Sequence, residues 1–399
     1  MSVSAPNIAI RRRQAAERAA ALRRHPSGAH APVELRPAPS TFYVIALVVT
    51  VFTMLGLVMV LSASSIRLFH QGESPWRTFN RQVVWAILGA GALWICARVP
   101  SQSWRRFVVP GLAISTGLML LPFVPGVGLQ VNDANAWVSL GSLSLQPSEF
   151  LKLAVLLYCA DLLTKRASEM HDLNRTLKPT LMVAALAAGL CLLQGDLGSA
   201  VVLAGIVFAV AFVGGTPLIP MTFAASAGLG ATVVFIMSSQ RRMNRFTAFL
   251  DVAGNRDHLS YQMYQALIAI AQGGTTGAGP GRGLNKLGDF LPVAHSDFIF
   301  AVVAEELGLI GVVAVVGGFL ALTYCGVQVA LAASDRFGGL LAGGIVGWLV
   351  VQTVINIGGV TGLMPVTGLT LPFFSAGGSS LFVCMAAAGL LLNVARHGR

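Results

Sequence analysis

Polar residues in this chain are confined to short breaks between long apolar runs, and the runs have the length of a bilayer crossing. Ten recur, near 41–63, 82–99, 107–127, 148–164, 177–194, 197–214, 216–237, 298–324, 338–358 and 377–395. The pattern predicts an all-α, polytopic bundle of ten transmembrane helices. Two stretches break the rhythm. Residues 1–40, rich in Arg, Ala and Pro, read as a disordered basic tail. They do not read as a cleaved signal peptide, because no short apolar core follows their charges. Residues 238–297 form an outward-facing loop between the seventh and eighth spans, long enough to be functional. Within it, SYQMYQALIAIAQ predicts an amphipathic helix lying along the membrane surface. The glycines that follow, GGTTGAGPGRG, lack the GK[ST] of a phosphate loop and read as tight turns and close backbone approaches.

Composition supports the membrane reading. The chain is 55% hydrophobic and 11% charged, with mean hydropathy +0.73, where a soluble domain carries roughly 25% charged residues. A net charge of +11 raises the question of nucleic acid. Its placement answers it: seven arginines lie in the first forty residues and most other basic residues flank apolar runs, as topology and anionic lipid headgroups require. With the tail inside, the loops carrying Arg98, Arg105 and Arg106, and Lys165, Arg166, Arg175 and Lys178, are cytoplasmic, as is the C-terminus. The loops 128–147, 194–196 and 359–376 lack Lys and Arg and fall outside, whereas Arg67, Arg77 and Arg81 on the first outer loop run against the bias. The five cysteines fall inside apolar runs without a CxxC pair, and the histidines lack zinc-ligand spacing.

Ionisable groups within spans are costly and mark function or a specific pairing. In LQPSEFLKLA, Glu149 and Lys152 share one helix face and can form an intrahelical ion pair or serve a site. In LLQGDLGSA, Asp196 can cap the next helix or act in chemistry. In HSDFIFAVVAEELG, Asp297 and Ser296 stand where an N-cap would. On a straight helix Glu305 lies roughly 80° around from Asp297 and Glu306 roughly 180°, so these two acids need partners on other spans and read as structural. The segment NIGGVTGLMPVTGLTLPFFSAGGSSL, dense in small residues and free of charge, suits a non-helical path lining a cavity. All four sets fall at the outer face.

LQPSEFLK, QGDLGSA, HSDFIFAVVAEELG and MPVTGLTLPFFSAGGSSL, in that order, resemble the SEDS family (shape, elongation, division and sporulation) from about residue 41 onward. GLTLPFFS, RRMNRFTAFLD and SYQMYQALIA resemble its division-type (FtsW-like) branch more than its elongation-type (RodA-like) branch. The resemblance implies a peptidoglycan glycosyltransferase polymerising lipid II on the outer face of the bacterial cytoplasmic membrane, at the division septum. Implied partners are undecaprenyl-diphosphate-linked glycan, a class B penicillin-binding protein transpeptidase, other division proteins and membrane lipids. It places the catalytic carboxylate on Asp297 and the motif's lysine and glutamate on Lys152 and Glu149. Asp196, Trp137, His295, Ser296, Lys286, Ser375 and Ser379 stand as diphosphate-binding or supporting candidates. Inverting transfer from an α-linked diphosphate needs a base for the acceptor hydroxyl, a natural task for Asp297. The leaving diphosphate needs a cation, either Lys152 or a divalent ion such as Mg or Mn. Lys152 can instead hold Asp297 ionised.

Four positions depart from the family pattern: Ala136 stands for Arg before Trp137, Gly195 for Pro, Val293 for Glu and Ala376 for Tyr. Two other function classes remain: a weakly active or non-catalytic scaffold for the transpeptidase, and a lipid II flippase. Against a carrier, the chain shows no internal repeat and its charged motifs sit near one face rather than at the midplane.

Overall fold

The computed structural model describes residues 39–397, apart from 132–133, 142, 253, 256–259, 285–290 and 292. The basic tail and Lys286 therefore lie outside the described residues. Thirteen α-helices and one small sheet make up the described fold. The helices α1 (Ser40–His70) and α2 (Arg77–Arg98) open the chain, followed by the short α3 (Ser101–Trp104) and α4 (Val108–Leu118). Strands β1 (Gly128–Val131), β2 (Ala134–Leu140) and β3 (Leu143–Leu145) come next, then α5 (Pro147–Lys165), α6 (Leu177–Leu193), α7 (Leu197–Val213) and α8 (Leu218–Met237). The long connection contributes α9 (Gln240–Leu250) and α10 (Tyr261–Gly273), and α11 (Ile299–Leu331), α12 (Arg336–Val360) and α13 (Gly378–His397) complete the bundle.

Seven helical stretches among the described residues are long and apolar enough to cross a membrane, namely α1, α2, Ser101–Phe123, α8, α11, α12 and α13. The other three expected spans correspond to α5, which carries Glu149, Lys152 and Asp161, and to the shorter apolar α6 and α7. The sheet is an addition to the all-α expectation. It is antiparallel in the order β1-β2-β3, with Leu129 opposite Trp137 and Val138 opposite Leu145. The Asn135 N–H donates to the Gln194 carbonyl at 3.0 Å, which hitches the sheet to the α6–α7 turn.

Two glycine-dependent contacts shape the end of the bundle that holds the outer motifs. On α1, a Cβ at Gly56 would stand 2.8 Å from the backbone of Phe373 and Phe374, so glycine lets the non-helical 361–377 segment lie directly on that helix. Phe52 then stacks on both Phe319 and Phe374, with ring centroids 4.7 Å apart in each case. The second contact breaks α11. Gly308 adopts φ 65° and ψ −160°, a conformation open to glycine and closed to most other residues. Through that break the chain of 274–279 threads against the helix: Ala278 and Gly279 N–H groups donate to the carbonyls of Glu305 and Glu306 at 2.9 and 3.0 Å, and Leu309 N–H donates to Gly274 at 2.9 Å. Ile310 N–H also donates to the Thr275 carbonyl at 3.3 Å, so the loop supplies partners for groups the break frees.

The α10 helix forms where the sequence places it, but its apolar side (Met263, Ala266, Ala269) is buried in protein. At Gly273 an added Cβ would overlap the Ala304 carbonyl, so the helix end presses on α11. The amphipathic helix expected here is formed, with one side packed on protein.

Candidate active site

The motifs expected at the outer face meet around a cavity of about 640 Å³. Trp137 from β2, Glu149 from α5, Asp196 before α7, and Ser296 and Asp297 before α11 all line it, and the backbone of Thr367–Thr370 closes one wall. Five of the residues singled out from the sequence are thus brought together from four separate elements.

Asp297 does not cap α11, whose first turn has no side-chain cap. Its carboxylate instead accepts a hydrogen bond from the Ser296 hydroxyl at 2.6 Å, and its other oxygen faces Gly368, a positive-φ glycine at φ 75°. The carboxyl keeps access to the cavity, yet surrounding protein displaces enough water that burial pushes its pKa up to about 6, opposed by the Ser296 hydrogen bond. Behind it, Ser375 donates to the Ser296 carbonyl at 2.7 Å and accepts from the Leu371 N–H at 2.8 Å. The Ala376 N–H donates to the His295 carbonyl at 2.9 Å. His295 is held neutral, its pKa lowered to about 4 by burial and by Arg67 and Arg81, and it is not among the described residues lining the cavity.

Glu149 and Lys152 form the expected ion pair, Nζ to Oε2 2.8 Å, and it is fully buried. Lys152 is 0% exposed. It sits behind Glu149 rather than on the cavity surface and reaches Gln352 Oε1 at 3.3 Å. Asp196 takes the capping role: Ser199 N–H donates to Oδ1 at 2.9 Å, and Gln146 and Ser148 donate to Oδ2 at 3.0 and 3.3 Å. Ser379 accepts the Gln146 N–H at 3.1 Å, tying the start of α5 to α13. Glu305 and Glu306 lie beyond the site on α11. Glu306 accepts from the Ser62 hydroxyl at 2.7 Å and the Gly281 N–H at 2.9 Å, and Glu305 accepts from the Leu284 N–H at 2.6 Å.

Three functional-looking residues escape the sequence reading. Arg242 on α9 lines the cavity and is its one cation among the described lining residues; its guanidinium donates to Phe235 and Ser238 at the end of α8. Gln352 and Asn356 on α12 bond to the cavity wall from behind. RRMNRF drew notice as a motif, but nothing in a sequence says which of its arginines turns inward. The two amides stand within an apolar run with no charge to flag them.

Among the described residues no group of three or more His, Cys, Asp and Glu stands close enough to hold a metal ion. Glu149 is committed to Lys152 and Asp196 to its three donors. Among the described residues this donor set does not fit a divalent ion held by protein ligands alone.

Residues 42–399 match the FtsW/RodA/SpoVE family of cell cycle proteins. The chain belongs to that family. Among its relatives, the "Probable peptidoglycan glycosyltransferase FtsW" of Trichlorobacter lovleyi is 38% identical over 88% of this chain and 92% of its own. Stage V sporulation protein E of Bacillus subtilis is 36% identical over 86% and 94%. Among solved structures, a chain from work on the coordination of polymerization and crosslinking by a peptidoglycan synthase complex superposes with a TM-score of 0.73, at 32% identity over 89% of this chain and 97% of that one. The rod shape determining protein RodA of Thermus thermophilus gives 0.62 at 30% identity, over 88% and 95%.

Within this FtsW/RodA/SpoVE chain, three of the four departures from the SEDS pattern, Ala136, Gly195 and Val293, line the cavity itself. Gly195 has φ 80°, which no proline can adopt. Val293 has φ 59°, a costly conformation for a β-branched residue, on the order of 1–3 kcal/mol.

Proposed function

We propose that this peptidoglycan glycosyltransferase polymerises lipid II in the 640 Å³ cavity, with Asp297 as the base that takes the proton from the acceptor hydroxyl. The observation that carries this reading is the position of Asp297: a carboxyl opening into the cavity, with its pKa pushed up to about 6, where a group is both ionised at neutral pH and basic enough to accept a proton. The acceptor oxygen attacks the sugar carbon bearing the α-linked diphosphate, that C–O bond breaks with inversion, and the diphosphate leaves with the bonding pair. Arg242, on the same cavity wall, is placed to meet the growing charge. Lys152 pairs with Glu149 and orients it from behind. Asp196, Ser375 and Ser379 hold the wall, and Glu305 and Glu306 anchor the long loop.

The topology that goes with this activity has ten spans, both termini in the cytoplasm and the cavity facing outward. The protein works in the inner membrane at the septum, beside a class B penicillin-binding protein transpeptidase. A cavity gathering acids at one end of the bundle favours chemistry there over transport through the midplane.

The test is polymerisation of purified lipid II by the reconstituted protein, with and without its transpeptidase, comparing wild type with Asp297→Asn. Glycan strands from wild type alone are expected. Strands from both would remove Asp297 as the base, and strands from neither, with the complex intact, would support the scaffold reading.

A further inference from the structure

One face of α12 carries Trp348, Gln352 and Asn356 at i, i+4 and i+8, which places them in a row along the helix. All three are buried, at 0%, 0% and 5% exposure. Their hydrogen bonds run in sequence. Trp348 Nε1 and Lys152 Nζ donate to Gln352 Oε1 at 2.8 and 3.3 Å, and Gln352 Nε2 donates to the Thr370 carbonyl at 2.9 Å. One turn on, Asn356 Nδ2 donates to the Leu369 carbonyl at 2.6 Å and to the Asp297 carbonyl at 2.9 Å. Two amides on a rigid helix thereby join the Glu149–Lys152 pair, the cavity wall at Leu369–Thr370 and the backbone of Asp297.

We propose that Gln352 and Asn356 are positioning residues for the glycosyltransferase reaction, fixing Asp297 and Glu149 relative to one another across the cavity. The proposal rests on the reading of Asp297 as the base. Asn356 supplies its strongest support. Its Oδ1 is buried without a hydrogen-bond partner, an arrangement that costs stability. The side chain is therefore oriented by its two donations alone, and both go to the cavity wall and the Asp297 backbone. Neither Asp297 nor the 366–370 segment sits on regular secondary structure, so their placement rests on these donors together with the Ser375 and Ala376 bonds to residues 295–296. A shift of about 1 Å at a reacting group can cost about 10²-fold in rate.

The experiment measures lipid II polymerisation by the full chain with its transpeptidase, normalised to folded, lipid II-binding protein, for Asn356→Ala, Asn356→Ser, Gln352→Met and Asp297→Asn. Asn356→Ala and Gln352→Met are each expected to lower kcat at least about tenfold with KM for lipid II within about twofold, as lost placement rather than lost binding requires. Asn356→Ser, whose hydroxyl ends one bond short of the Nδ2 position, is expected to stay near Ala, and the double variant Asn356→Ala/Gln352→Met to lose less than the product of the singles. If Asn356→Ala does not accumulate, Gln352→Met decides the question. Wild-type kcat in these variants, or a loss confined to KM, overturns the positioning role while an inactive Asp297→Asn leaves the base assignment intact. An active Asp297→Asn overturns the base assignment and the inference with it.

Discussion

At the scale of single residues, Asp297 titrates where a base is useful, because burial raises its pKa to about 6 against the donor at Ser296. With Asp297 as the proposed base, polymerisation should therefore rise with pH through about 6 and level off above it. Removing the donor with Ser296→Ala takes away a bond that favours the carboxylate, so the inflection should move to higher pH; a pH series of kcat/KM checks it. The linkage to stability has the opposite sense. A folded-state pKa raised above the usual 3.8 contributes stability that is present below that value and is lost as pH rises through about 6. Asp297→Asn should abolish this pH dependence of thermal unfolding. The Glu149–Lys152 pair makes a second residue-scale prediction. Lys152→Met removes one partner of a buried pair and should destabilise by about 3–5 kcal/mol. The double variant Glu149→Gln/Lys152→Met should recover most of that in thermal unfolding. Both acids were visible in the sequence because charge is conspicuous in an apolar run. The depth of Lys152 was not, since three-residue spacing fixes its partner and not what packs around the pair.

At the scale of elements, α11 separates what periodicity can and cannot say. Its apolar run announces a helix, and the two glutamates announce partners elsewhere. The break at Gly308 carries no such signal, because one glycine among many in a membrane helix is ordinary. What makes it a break is the 274–279 segment arriving from the long loop. A Cβ on residue 308 would overlap the Gly277 backbone nitrogen, and the conformation is one that alanine avoids. Gly308→Ala should therefore expel the loop from α11, lower the yield of folded protein and open 274–284 to limited proteolysis, while an unchanged digestion pattern would count against the clamp. The β1–β3 sheet was missed for a related reason: its short strands lack long alternation, and its hold on the α6–α7 turn is a contact between distant segments. The capping role of Asp196, by contrast, was legible from the residue type and the helix that follows it.

At the scale of the whole molecule, the charges divide between two ends. Opposite the cavity, Asp161 on α5 pairs with Arg105 at 2.6 Å and Lys165 at 2.6 Å. Gln102 donates to Asp335 at 2.8 Å, and Asp335 caps α12 through the Gly338 N–H at 2.8 Å. This second cluster fastens helices and touches none of the cavity residues. Asp161→Asn should lower the unfolding temperature, leaving Arg105 half-paired, while kcat per folded molecule stays at the wild-type level. A fall in kcat would show that the two ends are coupled.

Sequence by itself determined the solvent, the helical class and the identity of the site's acids, because burying charge or ending an apolar run in a bilayer is expensive enough to leave a mark at each position. Only the tertiary structure decided which acids meet at the cavity, that Lys152 is sealed behind Glu149, and which uncharged amides on α12 hold the wall. Those outcomes depend on the distance between segments far apart in the chain. An amide or a glycine becomes decisive only when another backbone comes within hydrogen-bonding reach of it.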